Sequence, residues 1–238
     1  MTGGWDLRRR FWTGVSVHDG PDGWTVALDD KPLRTPAEAL LVAPSRTLAE
    51  ACAEEWRAQG DRFDPGSMPV TRALNTAQDR VAPQRAAVAA EIAAYGGSDL
   101  LCYRAAAPDA LVQRQSAAWD PWLRWARDSF GATLVCAQGV MHVPQPAEAL
   151  ARLSAEVHAR DPLALTALHD LTALSGSLIL ALAVDRAALD PAEAWRLSRI
   201  DEDWQAEQWG EDAEAAAAAA LRAEAFAAAA RLSAMLRG

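Results

Sequence analysis

Lysine is nearly missing from this chain: of its 23 basic residues, Lys31 alone is not an arginine. A phosphate-binding P-loop sets a lysine directly after a glycine, and Lys31 follows Asp30, which excludes that loop. Schiff-base chemistry would fall to Lys31 itself, in the turn-like stretch Asp29-Asp30-Lys31-Pro32, a poor setting for a desolvated amine. No two glycines stand two or four apart. That removes the dinucleotide fingerprint and the Gly-x-Ser-x-Gly nucleophile elbow. The four histidines, at 18, 142, 158 and 169, share no zincin spacing. Cysteine is sparse as well, with Cys52, Cys102 and Cys136 far apart among apolar neighbours. An odd count without metal or redox spacing predicts buried thiols in a reducing compartment. Long apolar runs are also lacking. Leu171 to Val184 is 14 residues and includes Ser175, Gly176 and Ser177, whereas a bilayer span needs about 20, so a buried helix and no membrane insertion are expected. Arg8-Arg9-Arg10 leads into Phe11-Trp12-Thr13-Gly14 rather than an apolar stretch, so no secretion signal is read there.

What remains is a chain of 238 residues, 51% hydrophobic and 23% charged, with a formal charge of -9. This is the balance of a packed globular protein, and an acidic one that disfavours nucleic acid. The fold class predicted is α+β, with a small antiparallel β domain carrying a helix over 1–83 and a larger α-helical domain over 84–238. Phe11 to His18 alternates in the period of a half-buried strand. The cluster Asp19-Gly20-Pro21-Asp22-Gly23 turns it into a second alternating run at Trp24, Val26 and Leu28, which makes a hairpin. Short extended pieces are expected around Leu33 and from Leu40 to Val42. Leu48, Cys52 and Trp56 then set a helical period that ends by Gly60, with Thr47 and Glu50 as its capping box. Val70 to Val81 follows, with Thr71, Asn75 and Asp79 on one polar face. Helices are predicted over 84–95, 110–130, 147–159, 162–184, 191–209 and 211–236. Asp161-Pro162 and Asp190-Pro191 both read as N-cap plus first-turn proline, and 162–184 reads as the central helix. Two short strands are expected between Thr133 and Val143.

Acid/base chemistry has only fragments to work with. His169-Asp170 is the best pair, and Cys136 with His142 is the best thiol and imidazole. Neither rises above what a core or surface histidine does ordinarily. A small-molecule-binding protein or hydrolase with a polar pocket at His169 and Asp170 is the alternative reading; the leading one is not an enzyme and uses no cofactor or metal. Ten tryptophans outnumber four phenylalanines and two tyrosines. Trp119, Trp122 and Trp125 recur every third residue, a spacing that favours core packing over a binding stripe. Asp201 to Glu214 holds seven acids and no base, interleaved with Trp204 and Trp209. Acids this dense repel one another, and aromatic anchors among them suit a basic, partly apolar protein surface. A solvated helix face is the ordinary use of such a charge run. A third reading is that 201–214 holds the two domains together, which burial of all seven carboxylates against arginines of this same chain would support.

The stretch Ser198-Arg199-Ile200-Asp201-Glu202-Asp203-Trp204-Gln205-Ala206-Glu207-Gln208-Trp209-Gly210-Glu211-Asp212-Ala213-Glu214-Ala215 resembles the C-terminal motif of the assembly chaperone for the alpha subunit of the F-type ATP synthase catalytic head. Arg10-Phe11-Trp12 with Lys31-Pro32-Leu33-Arg34-Thr35-Pro36, Met68-Pro69-Val70-Thr71 to Asn75-Thr76, and Ser98-Asp99-Leu100-Leu101-Cys102-Tyr103-Arg104 are similar to that family too, in the expected order. The resemblance implies an ATP-independent chaperone, without a cofactor, that binds the free alpha subunit and acts as a monomer. It covers the client's exposed interface until the beta subunit replaces it. By the same resemblance the partner-binding residues are Asp201, Glu202, Trp204, Glu207, Trp209, Gly210, Glu211, Asp212 and Glu214, with Asp212 and Glu214 foremost. Met1 to Trp5 leaves no room for a targeting presequence, so a bacterial, cytoplasmic member is expected, with mitochondrial-matrix relatives.

Overall fold

The computed structural model describes residues 9–139 and 141–237; the readings made on Met1 to Trp5 and on Arg8 lie outside them. Contacts divide the chain into two units, one ending at Gln84 and the other Arg85–Arg237.

The first unit is a small antiparallel sheet with a helix. Strand β1 (Val15–Gly20) and β2 (Gly23–Leu28) pair in the register Val15 to Leu28 and Gly20 to Gly23, so Pro21 and Asp22 alone make the turn. A Cβ on Gly23 would lie 2.7 Å from the Ala43 carbonyl oxygen, and its φ is +134°, so the hairpin requires glycine there. Strands β3 (Lys31–Pro32) and β4 (Val42–Ala43) both pair with β2. The first strand starts later than its alternation predicted. Residues 11–14 are held instead by Asp29, whose carboxylate accepts from the backbone N–H of Thr13 and Gly14 at 3.0 and 2.7 Å. Those donors keep its carboxyl below the usual range. Trp12 turns inward against Trp56 and Phe63, with ring centroids 5.0 and 5.6 Å away, while Phe11 is 73% exposed.

Helix α1 (Arg46–Arg57) buries Leu48, Ala49, Cys52 and Ala53. Its cap is Ser45, whose hydroxyl accepts from the Leu48 N–H, not the predicted Thr47 and Glu50 box; Glu50 faces Arg46 and Arg57 instead. Helix α2 (Pro69–Thr76) widens into a π-helical turn over Ala77–Val81. The polar face predicted on it is partly an internal one. Thr71 is buried and donates its hydroxyl hydrogen to Glu55 at 2.7 Å, and Asp79 accepts from the Ala37 N–H at 2.9 Å.

The second unit is mostly helical, with α3 (Arg85–Ala94), α4 (Asp109–Phe130), α5 (Ala147–His158), α6 (Pro162–Ser175), α7 (Leu178–Asp185), α8 (Pro191–Ser198), α9 (Ile200–Trp209) and α10 (Ala213–Arg237). Strand β5 (Tyr103–Arg104) pairs in parallel with β6 (Ala137–Gln138), so one strand of the two expected over 133–143 forms among the described residues. Asp161 and Asp190 cap α6 and α8 as predicted, each accepting from two backbone N–H groups of the first turn.

Two predicted helices are each broken in two. The run 162–184 divides at Gly176, which has a φ of +70°, and Ser177, which caps α7. The turn is held by Asp99. Its carboxylate is fully buried and accepts from the N–H of Leu101 and Ile179, both at 3.0 Å, and from the Ser177 hydroxyl at 2.8 Å. Every residue of Leu178–Val184 is buried, so the central position falls to α7, packed against α4, α6, α8 and α10. The run 191–209 divides at Arg199. Trp119 is the core member of the tryptophan triplet, fully buried with its indole N–H donating to the Leu197 carbonyl at 2.9 Å. Trp122 and Trp125 are half-buried and meet edge to face. Cys52 and Cys102 are buried, but Cys136 is exposed beside β6, which corrects the expectation of three buried thiols. The short strand leaves its flanking loop at the surface.

Candidate functional site

The acidic motif spans α9, a sharp turn and the start of α10. Ile200 is the only residue of α9 that is buried, so this helix is held mainly by polar contacts, those with another helix reaching α4. The Arg114 guanidinium grips Glu207 through two parallel hydrogen bonds of 2.7 and 2.8 Å. It also lies over the Trp204 ring, 4.9 Å from its centroid, which combines bidentate and cation–π contacts in one side chain. The Glu207 carboxyl is held below its usual range by that arginine. Gln115 is buried and donates its amide hydrogen to Asp201 at 2.6 Å. On the helix itself Arg199 pairs with Glu202 at 3.0 Å. Asp201, Glu202, Trp204 and Glu207 are therefore committed to fixing α9.

Gly210 ends α9 with a φ of +91°, a backbone state an L side chain resists. Asp212 then starts α10: its carboxylate accepts from the Ala215 N–H at 2.8 Å and its carbonyl from the Ala216 N–H at 2.9 Å. It is thus an N-cap, not a first-turn residue as predicted. Trp209, Glu211 and Glu214 face solvent, and Trp209 is 80% exposed. Asp203, which the motif reading passed over, is exposed beside them. Six of the seven carboxylate residues in 201–214 are exposed, Asp201 being the half-buried one, which rules out a buried ionic seam.

Between α8, α9 and the first half of α10 lies an open groove of about 820 Å³. Its floor is made of alanines of α10, among them Ala215, Ala219 and Ala223, and Trp209 lines one side. Nothing in the sequence outside the motif marked those alanines, since a run at 215–220 reads first as helix propensity. Arg196 and Arg199 line the groove as well, but each is engaged by a neighbour, Glu193 or Glu202. His169 and Asp170 lie on α6 away from this groove. Their side chains are 42% and 56% exposed and 3.1 Å apart, and the carboxylate draws the imidazole pKa upward. Among the described residues no group of three His, Cys, Asp or Glu side chains is placed to hold a metal ion, and no helix is long and apolar enough to cross a membrane.

The model of the ATP12 chaperone protein family matches residues 9–127, and the likeness to solved structures extends over nearly the whole chain. Atp12 from Paracoccus denitrificans is 51% identical, over 94% of this chain and 97% of its own, with a TM-score of 0.92. The chain belongs to the ATP12 chaperone family. A mutant of the same Paracoccus protein gives a TM-score of 0.91 at 51% identity, over 94% of this chain and 96% of that one. The Atu1473 protein of Agrobacterium tumefaciens, described as a candidate chaperone, gives 0.93 at 48% identity over 97% and 87%. The matched family segment ends at 127, short of the acidic motif; the motif therefore enters the family comparison through the structures and not through the family model.

Proposed function

We propose that the protein is an ATP-independent assembly chaperone. On this reading it binds the free alpha subunit of the F-type ATP synthase as a monomer in the cytoplasm and releases it to the beta subunit. The observation that carries the reading is the face formed by Trp209, Gly210, Glu211 and Glu214, where an indole 80% exposed stands among acids that make no ion pair in the described chain. Tryptophan is enriched in the buried centre of protein interfaces, so an exposed indole ringed by acids suits a basic, partly apolar partner surface. An alpha subunit outside its hexamer exposes a subunit interface that aggregates unless covered. Covering it needs only reversible association, so nucleotide hydrolysis has no part. The acids give steering and register to a client carrying arginine or lysine, and their effect falls with added salt.

Asp201, Glu202, Trp204 and Glu207 act in this reading as positioning residues for α9, and Asp212 as the cap that sets the direction of α10. The client-facing set is then Asp203, Trp209, Glu211 and Glu214. Light scattering of isolated alpha subunit, with and without the protein and with no nucleotide, tests the reading. Suppression near equimolar ratio is expected, and it should fall when Glu211 and Glu214 are both changed to Lys. Scattering that is equal with and without the wild-type protein would refute the function. Suppression untouched by the double charge reversal would refute the site.

A further inference from the structure

Two of the three cysteines are brought side by side by the short parallel pair. Strand β5 follows a helical turn that ends at Cys102, and β6 follows directly on Cys136. The register is Tyr103 to Ala137 and Arg104 to Gln138. One step back along both strands it sets Cys102 beside Cys136. Neighbouring strands lie about 4.8 Å apart, inside the roughly 4.4–6.8 Å that a disulfide spans between Cα atoms. The electrostatics agree: the Cys102 thiol is pushed up first by burial, then by the Asp99 carboxylate and by Cys136. Both backbones are pinned. The Cys102 N–H donates to the Asp99 carbonyl at 2.9 Å. Just before Cys136, the Gln145 amide oxygen accepts from the Val135 N–H at 2.7 Å, and its amide nitrogen donates to the Val135 carbonyl at 2.9 Å. Past the pair, the Gly139 N–H donates to the Arg104 carbonyl at 2.8 Å.

The two thiols differ in access. Cys136 is exposed, whereas Cys102 is 1% exposed. His142, the imidazole nearest Cys136 in the sequence, is engaged by the Tyr103 hydroxyl at 3.1 Å. Cys52 belongs to the first unit, where its sulfur meets the Thr71 hydroxyl at 3.3 Å. An exposed thiol next to a sheltered second one is the arrangement of an attacking and a resolving cysteine. We propose that Cys136 and Cys102 form a reversible thiol–disulfide pair whose oxidant is a small disulfide, glutathione disulfide. The Cys136 thiolate attacks one glutathione sulfur, which forms a mixed disulfide and breaks the S–S bond of the oxidant. The first glutathione leaves as a thiolate and takes up the proton that Cys136 lost. The Cys102 thiolate then attacks the Cys136 sulfur and expels the second glutathione, which takes up the proton from Cys102. Two protein thiols are oxidised and one glutathione disulfide is reduced to two glutathiones. Strand β5 precedes α4 and β6 follows it, so the closed disulfide ties together the two ends of the helix whose Arg114 and Gln115 hold α9. Oxidation braces the support of the acidic motif without touching the motif.

The test incubates the native, reduced protein with excess glutathione disulfide, alkylates what remains and follows the intact mass. The wild-type protein should end two hydrogens lighter, with only a transient glutathione adduct, and peptide mapping should join Cys102 to Cys136. Cys102→Ala, which keeps a small apolar side chain in the buried site, should hold one glutathione on Cys136. Cys136→Ser should react at least about tenfold more slowly, because its remaining thiols are buried. Cys52→Ser should behave as the wild type, and dithiothreitol should restore the starting mass. A disulfide constrains the unfolded chain, so the closed form should unfold at a higher urea concentration than the reduced form. That shift should be absent from Cys102→Ala and Cys136→Ser. A wild-type protein that keeps a lasting adduct, joins Cys136 to Cys52 or does not react at all would overturn the pair. Closure that leaves the urea midpoint unmoved would overturn the brace.

Discussion

Replacing Asp99 by Asn should destabilise the helical unit, and by more in mild acid than at neutral pH. The carboxylate accepts three hydrogen bonds, two on Oδ1, from the Leu101 N–H and the Ser177 hydroxyl, and one on Oδ2, from the Ile179 N–H. An amide keeps one oxygen and turns an NH₂ toward a donor. If the oxygen stays with Leu101 and Ser177, the N–H of Ile179 in the first turn of α7 is left buried and unpaired, at a cost of about 1–3 kcal/mol. Burial pushes the Asp99 carboxyl from 3.8 up to about 6, with the backbone donors opposing. Because the folded value lies above the unfolded one, the stability from this group is fully present below the unfolded value and is lost as pH rises through about 6. Between about pH 7.5 and about pH 5.5 the wild-type protein should therefore gain on the order of 1 kcal/mol from Asp99, a gain the Asn variant lacks. Urea unfolding followed by tryptophan fluorescence at both pH values measures the gap between the two proteins, and the fully buried Trp119 is a suitable reporter. The other carboxylates titrate alike in both proteins and cancel in the difference. A gap that stays constant or narrows toward pH 5.5 would refute the reasoning.

Asp212→Asn should keep the α10 cap while removing the charge, whereas Asp212→Ala removes both. Losing the cap costs about 1 kcal/mol, so amide exchange over 213–220 should quicken about fivefold in the Ala variant and hardly change in the Asn variant. Client binding lost in the Asn variant despite slow exchange would give Asp212 a direct role. A disulfide reagent should label one thiol of the native protein quickly, Cys136, because Cys52 and Cys102 are buried and burial raises both, the Cys52 thiol to about 11. Rapid labelling that persists in Cys136→Ser would contradict that assignment.

Much of the architecture was legible because it depends on period and punctuation. The Trp24, Val26 and Leu28 alternation, the Asp-Pro helix starts and the 3.6-residue spacing of α1 and α4 are local signals, and the folded chain keeps them. The errors sit where a distant group overrides a local pattern. Phe11 to Gly14 alternates like a strand, yet Asp29 takes the backbone N–H groups of Thr13 and Gly14 that a ladder would use. Leu171 to Val184 reads as one apolar helix, but Asp99, far earlier in the chain, supplies the acceptors that stabilise a new helix start at Leu178. Neither partner can be inferred from the segment it disrupts.

The acidic motif shows the same division at finer grain. Its density and its tryptophans made it visible, but nothing in the order of residues separates a carboxylate that holds α9 from one that meets a client. That distinction depends on Arg114 and Gln115, on α4, and on a backbone N–H at Ala215. Glu207 and Glu214 look alike as motif positions. Yet Glu207 is spent on an arginine of its own chain, while Glu214 stands exposed in the first turn of α10. The alanines that floor the groove were the least visible of all, since a methyl group carries no chemical signature and acquires a role only through the space left above it.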